Sequence, residues 1–257
     1  AYYCSNISCS NHKLRVYPPT RETDSILDSI WNPRCLDCNS SLSPTGTSEG
    51  DPLSPSSVYA ATKLAQEFLV DIVCKANDIN YAIFRFQNVY GEFQSLNNPY
   101  TGILSIFSNR IRLGLTLPIF EDGLESRDFV HVSDVASILL MCINSSESYN
   151  TIINIGTGIP ISVLEVSELL VQLLQVDVPI KITSSYRKGD IRHNYSDNSK
   201  FSSYFPDFNY LAFDKGLSLF IEWVLTQPTY SDSLDSANSE LIRRNLMLIS
   251  KYLLANF

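Results

Sequence analysis

Tyr59 and Lys63 are separated by four positions, the interval that sets two side chains on one face of a helix. An ammonium beside a phenol favours the phenolate and draws a hydroxyl that ordinarily ionises near pH ~10 toward neutrality, where it can serve as base or acid. The bland alternative is an exposed helix pair, because a tyrosine four residues from a lysine often arises by chance. A second constellation is Cys4, Cys9, Cys35 and Cys38, two pairs of thiols that can present four thiolates to a tetrahedral zinc and stabilise a segment with no core of its own. His12 is a substitute ligand, free thiols are the competing reading, and a disulfide suits a reducing compartment less well. Nothing in the pattern supports a catalytic zinc. Cys74 and Cys142 lie alone inside apolar helical stretches and read as core.

These groups need elements to hold them. Val58, Ala61, Leu64, Ala65, Phe68, Leu69, Ile72 and Val73 recur at helical spacing, so a long amphipathic helix from Ser57 to about Asn77 carries both Tyr59 and Lys63. A strand follows over 81–86. Helical patterns cover 101–113, 133–143 and 162–174, interleaved with short apolar runs at 117–120, 151–155 and 180–183. Two more helices, 213–225 and one from 233 onward, flank the breaker Pro228. Such alternation predicts an α/β fold. Residues 1–55 are rich in Ser, Asn, Pro and Cys, show no period, and read as an irregular excursion.

Three further sites read as structure. Ser133 with Asp134 forms a helix N-cap, and His131 supports the loop before it. Gly156 and Gly158 make a strand-to-helix turn rather than a phosphate loop. Only about two strand candidates suit a nucleotide-binding parallel sheet, and neither Gly-x-Gly-x-x-Gly nor Gly-x-x-Gly-x-x-Gly occurs.

The segment Pro52-Leu-Ser-Pro-Ser-Ser-Val-Tyr59-Ala-Ala-Thr-Lys63, with Gln66-Glu67 after it, resembles the active-site helix of NAD-dependent sugar epimerases and dehydratases, members of the extended short-chain dehydrogenase/reductases. Later segments agree in order: Arg85 to Gly91, Asn97 to Gly102, Phe120 to Gly123, Arg127 to Ala136, Asn154 to Gly158 and Arg187 to Asp190. The cysteine-bearing insertion, Thr47-Ser48-Glu49 and Asn98 to Gly102 are most similar to the dTDP-L-rhamnose 4-epimerase type.

That resemblance implies the C-terminal part of a Rossmann-like fold with a small mixed α/β substrate domain. Residues 1–55 would be the cysteine-bearing, zinc-ribbon-like insertion, 56–95 the active-site helix and last Rossmann strands, and 96–257 the substrate region with one returning Rossmann strand-helix segment. Tyr59 would handle the proton of the sugar 4-hydroxyl, and Lys63 would lower its pKa and hold the nicotinamide ribose. Phe86 and Gln87 would approach the nicotinamide, Asn88 would contact the substrate diphosphate, and Arg127 and Arg187 would neutralise it. For the two arginines, structural salt bridges are the alternative. The implied partners are NAD, a nucleotide-diphosphate sugar and a second copy packed through the Tyr59 helix. The implied reaction is 4-epimerisation; dehydration or keto-sugar reduction are alternatives, and Thr47-Ser48-Glu49 carries little weight for dehydration. The chain opens on Ala1, and the family's triad Ser/Thr is expected upstream of it. It therefore reads as a fragment, and the missing glycine turn sets against NAD binding by this chain alone. A non-catalytic nucleotide-sugar-binding half of a split protein is the reading from a different class.

Composition agrees with a folded chain: 44% of the 257 residues are hydrophobic. A net charge of -8 with scattered arginines argues against nucleic acid as a partner. Apolar runs are broken well short of the roughly 20 residues that span a bilayer, and no signal peptide is recognisable, so no membrane is expected and the cytoplasm is the expected compartment.

Overall fold

The computed structural model describes residues 1–21, 23–97 and 102–249. At the N-terminus β1 (Tyr2–Cys4) pairs antiparallel with both β2 (Arg15–Val16) and β3 (Leu42–Pro44), and a single helical turn, α1 (Thr23–Leu27), lies between them in sequence. The irregular excursion expected over 1–55 is therefore corrected to a small sheet. Strands of two or three residues are too short to display the period of two by which a strand is read.

Ser57 starts α2 (Val58–Ala76) by accepting a hydrogen bond from the Ala60 N–H on its Oγ. The remaining elements alternate: β4 (Ala82–Phe86), β5 (Asn88–Tyr90), α3 (Ile103–Arg112), β6 (Leu117–Ile119), β7 (Ser126–Arg127), β8 (Phe129–His131), α4 (Val132–Asn144), β9 (Thr151–Ile155), β10 (Ile161–Ser162), α5 (Val163–Leu174), β11 (Ile180–Ile182), β12 (Ser185–Arg187), β13 (His193–Asn194), α6 (Ser199–Tyr204), α7 (Phe213–Thr226), α8 (Leu234–Arg243) and β14 (Met247–Ile249). Four pairs are parallel, β4 with β9, β5 with β8, β6 with β11 and β7 with β13. β7 sits between antiparallel β10 and parallel β13, and β12 pairs antiparallel with β14. The motif residues Asn98, Pro99, Tyr100 and Thr101 lie outside the described residues.

Two main cores result. One is built where α3, α5 and α7 close over β6, with Leu104, Ile111, Leu117, Ile119, Leu170 and Phe220 buried. The other joins β8 and β9 to α4 and α6 through Val130, Ile138, Ile153, Ile155 and Phe201. Capping decides where α5 begins: Ser162 and Glu165 each satisfy the other's backbone N–H in a capping box.

α2 departs from expectation. No residue of this helix is buried, and Phe68, Leu69, Ile72 and Val73 of its apolar stripe are exposed. Helical spacing reveals that a stripe exists but not what covers it. The helix is tied to β4 by polar contacts instead, Glu67 to Arg85 at 2.6 Å and Asp71 to the Tyr81 hydroxyl. Cys74, read as core, is accordingly only half-buried, whereas the half-buried Cys142 does pack against the second core.

Candidate functional site

A cavity of about 400 Å³ opens beside β5, β7 and β12. The parallel register of Asn88 opposite Phe129 places Asn88 on its wall. Successive strand residues face opposite ways, so the Arg127-Asp128 step puts one charge toward the cavity and the other into the protein. Asp128 is fully buried. Its carboxylate accepts from Thr157 N (2.8 Å), Thr157 Oγ1 (2.7 Å), Gly158 N (2.9 Å), Ser196 N (3.1 Å) and Ser196 Oγ (2.8 Å). A Cβ at Gly156 would sit 2.5 Å from Asp128 Oδ2, so the close approach of the turn requires glycine. Gly158 has φ +74°, the left-handed region, and its N–H is already taken by Asp128. The turn at Gly156 to Gly158 is thus filled by protein carboxylate.

Arg127 lines the cavity and donates from Nη1 to the carbonyls of Ser126 (2.8 Å) and Arg192 (3.3 Å). Burial lowers its pKa, opposed by Asp190, Glu125 and Glu121, yet a guanidinium stays protonated throughout the physiological range. Arg187 enters from β12. Its guanidinium carbon stands 5.1 Å from the centroid of the Phe120 ring, and Nη2 donates to Asn238 Oδ1 at 3.4 Å. Among the described residues, the buried Arg187 Nε has no hydrogen-bond partner. The salt-bridge alternative fails for both arginines among the described residues, since neither makes an ion pair within 4.0 Å.

Glu125 and Asp190 also line the cavity. Sequence reasoning missed Glu125 and saw Asp190 only as a motif position, because neither spacing nor residue type marks an acid that folding will bury. Burial, then the neighbouring Glu121, pushes the Glu125 carboxyl up to about 7. Burial likewise raises Asp190, opposed by Arg127 and Arg187. Behind them Arg192, almost fully buried, pairs with Asp122 (2.6 Å) and Glu121 (2.9 Å), and Arg21 pairs with Glu121 at 2.7 Å.

Tyr59 and Lys63 do not line this cavity. They occupy the first turns of α2, with Tyr59 72% exposed and Lys63 Nζ 5.6 Å from its ring centroid and 3.3 Å from Gln66 Oε1. Phe86 is exposed at the C-terminal end of β4. Gln87 is held by its N–H to the Ile155 carbonyl (2.8 Å) and by Oε1 accepting from Asn194 Nδ2 (3.2 Å). Phe86 and Gln87 thus stand at the carboxyl end of β4, the edge at which ligands of open α/β sheets bind. No glycine-rich turn with free N–H groups for a dinucleotide pyrophosphate is found among the described residues. Thr47 and Glu49 are structural: the Asn154 side chain donates to the Thr47 carbonyl at 2.9 Å, and its N–H donates to Glu49 Oε1 at 2.7 Å.

His131 caps α4, with Nδ1 accepting from Ser133 N at 3.3 Å and 2.7 Å from Ser133 Oγ. This corrects the expected Ser133-Asp134 cap, since Asp134 instead accepts from Leu211 N at 3.0 Å. The four N-terminal cysteine sulfurs lie within 4.8 Å of one another, gathered by β1 and the turns before and after β2. His12 is not among them; its Nδ1 is 3.3 Å from the Cys4 carbonyl.

Residues 39–156 match the model of the NAD dependent epimerase/dehydratase family. The dTDP-L-rhamnose 4-epimerase of Burkholderia thailandensis is 37% identical over 146 residues, covering 57% of this chain and 40% of that protein. This chain spans about half or less of the length of the curated relatives it matches. The structure of UDP-glucose 4-epimerase from Thermotoga maritima with UDP-glucose is similar at a TM-score of 0.64 and 28% identity, covering 71% of this chain and 58% of that one. MoeE5, solved in complex with UDP-glucuronic acid and NAD, reaches a TM-score of 0.64 at 30% identity over 71% of this chain and 60% of its own. The fold is thus α/β, like the Rossmann-like extended short-chain dehydrogenase/reductases.

Proposed function

We propose, from the premise that residues 39–156 are a segment of the NAD dependent epimerase/dehydratase family, that this chain is the substrate-gripping part of a nucleotide-sugar 4-epimerase. The observation that carries the reading is the convergence of Asn88, Arg127 and Arg187 on one cavity walled by Phe120 and Phe129. Two guanidiniums, one with an unpartnered Nε, suit a pyrophosphate. Burial raises both neighbouring carboxyls, Glu125 to about 7, which weakens their repulsion of a bound anion as pH falls.

Tyr59 then takes the proton of the sugar 4-hydroxyl at its Oη and gives it back, and Lys63, one helical turn on, holds the nicotinamide ribose. NAD, held by Tyr59, Lys63, Phe86 and Gln87, would supply a reversible hydride acceptor for the sugar C4, which is the chemistry that inversion at that carbon needs. Phe86 and Gln87 flank the nicotinamide. Dehydration is disfavoured because Glu49 Oε1 is already taken by the Asn154 N–H. The exposed stripe of α2 supports a homodimer contact, and the six free cysteines suit a reducing compartment such as the cytoplasm. In the same reading the four clustered sulfurs hold a structural zinc, a closed site with no open position for chemistry.

Calorimetric titration of the chain with UDP-glucose and with dTDP-L-rhamnose tests the grip. Binding that is lost in Arg127→Ala and Arg187→Ala supports it; equal binding by the variants sinks it. A second reading, a non-catalytic nucleotide-sugar-binding half, is favoured by the Asp128-filled glycine turn. Stoichiometric NAD binding by the chain would decide against it, as would epimer formation seen by sugar NMR that vanishes in Tyr59→Phe.

A further inference from the structure

The N-terminal lobe is short of the apolar core that a segment of its size needs. Its buried apolar residues are Tyr2, Ile26, Leu42 and the cysteines Cys4, Cys9 and Cys35 themselves. The sulfurs are nevertheless arranged. Cys4 and Cys38 are 3.5 Å apart at Sγ, and Cys9 and Cys35 are 3.6 Å apart. A tetrahedral zinc with bonds of about 2.3 Å sets its thiolates about 3.8 Å apart, so the cluster has the size of a zinc tetrathiolate and is far too open for disulfides. Asn11 adds donors of the kind that steady thiolates, with its N–H 3.4 Å from Cys9 Sγ and its Nδ2 3.7 Å from Cys35 Sγ.

The same lobe reaches the cavity wall. Three residues before Cys35, Asn32 Oδ1 accepts from Arg192 Nε at 3.1 Å, and the neighbouring Trp31 carbonyl accepts from Arg21 Nη1 at 3.3 Å. Arg21 also donates to Glu121 (2.8 Å) and to the Asp190 carbonyl (2.8 Å). Arg192 is the cation between Asp122, Glu121 and, at 3.9 Å, Glu125. Two contacts from the knuckle thus fix the charges lying behind Glu125, Asp190 and, through them, Arg127 and Arg187.

We infer that the tetrathiolate is a metal-dependent latch: zinc bound by Cys4, Cys9, Cys35 and Cys38 seats Arg21 and Asn32 and so preorganises the diphosphate-gripping wall of the cavity. This rests on the reading of that cavity as a nucleotide-diphosphate site. Metal and anion then share a coupling free energy although they never touch. Without metal the lobe loosens, the Glu121 and Asp190 contacts of Arg21 lapse, and the wall must be ordered anew by the ligand.

The test uses the full chain. Metal content is measured by mass spectrometry and by the visible spectrum after cobalt substitution, and UDP affinity by calorimetry on loaded and chelator-stripped protein. The expected result is a single zinc per chain, lost in Cys35→Ser/Cys38→Ser, with UDP affinity falling about tenfold on stripping. Arg21→Gln keeps the zinc yet shows a similar fall. Absence of bound zinc and of a tetrahedral cobalt spectrum overturns the site. Zinc present with UDP affinity unchanged by both stripping and Arg21→Gln overturns the latch. If loaded protein binds no UDP, the cavity reading fails separately. The latch is then judged by hydrogen exchange of amides 185–192, which should lose protection on stripping; unchanged protection overturns it.

Discussion

Arg187 lies over the ring of Phe120, its guanidinium carbon 5.1 Å from the centroid, while its buried Nε has no partner among the described residues. Stacking fixes the plane of the fork, and the unpaired donor is a cost that an incoming anion can relieve. Lysine keeps the charge but offers neither the plane nor the second donor. Arg187→Lys should therefore weaken UDP binding by about 10- to 100-fold, as charge-assisted hydrogen bonds are worth roughly 1.5–3 kcal/mol. Calorimetry reads the change, and an unaltered affinity would remove Arg187 from the site.

Glu125 gives a pH signature. Its carboxyl, ordinarily ionising at 4.5, is raised to about 7 by burial and then by Glu121, with Arg192 opposing. Folding thus holds a proton that the unfolded chain releases. The stabilisation is fully present below pH 4.5 and is lost as pH rises through about 7. Glu125→Gln should match the parent in acid and exceed its stability by about 3 kcal/mol at pH 8, measured by urea unfolding across the range. A difference independent of pH would contradict the assignment.

Asp128 organises the turn at Gly156 to Gly158, with donors from Thr157, Gly158 and Ser196 converging on it. Asn at this position turns two N–H groups toward donors. Asp128→Asn is expected to lose roughly 2–4 kcal/mol in chemical denaturation. A loss below that would mean the network tolerates an amide.

The α2 stripe behaves differently from a core. At concentrations where the chain is monomeric, Phe68→Ser should change stability by less than about 0.5 kcal/mol, whereas Leu170→Ala, at a fully buried site, should cost roughly 2–5 kcal/mol. In sedimentation, Phe68→Ser should weaken self-association if α2 is a subunit contact. A large loss in the monomer would show that the helix packs inside the chain after all.

Much of the architecture was legible because it depends on local pattern. The 3.6-residue period marked α2, α4, α5 and α7, and short apolar runs marked β4, β6, β9 and β11. The ordered motifs carried the family. The short strands β1, β2 and β3 were not legible, since two or three residues hold no period, and the His131 cap was not, since capping depends on which carbonyl starts the helix.

The sequence by itself determined which residue types this protein offers: a tyrosine and lysine one turn apart, two arginines in later segments, and four cysteines near the N-terminus. Only the tertiary structure decided that Arg127 and Arg187 share a cavity with Glu125 and Asp190, that four distant sulfurs meet, and that the α2 stripe is left uncovered. Side-chain type and short spacing travel with the chain. Meetings between segments far apart in the chain, and the burial that shifts a carboxyl, exist only once the chain has closed on itself.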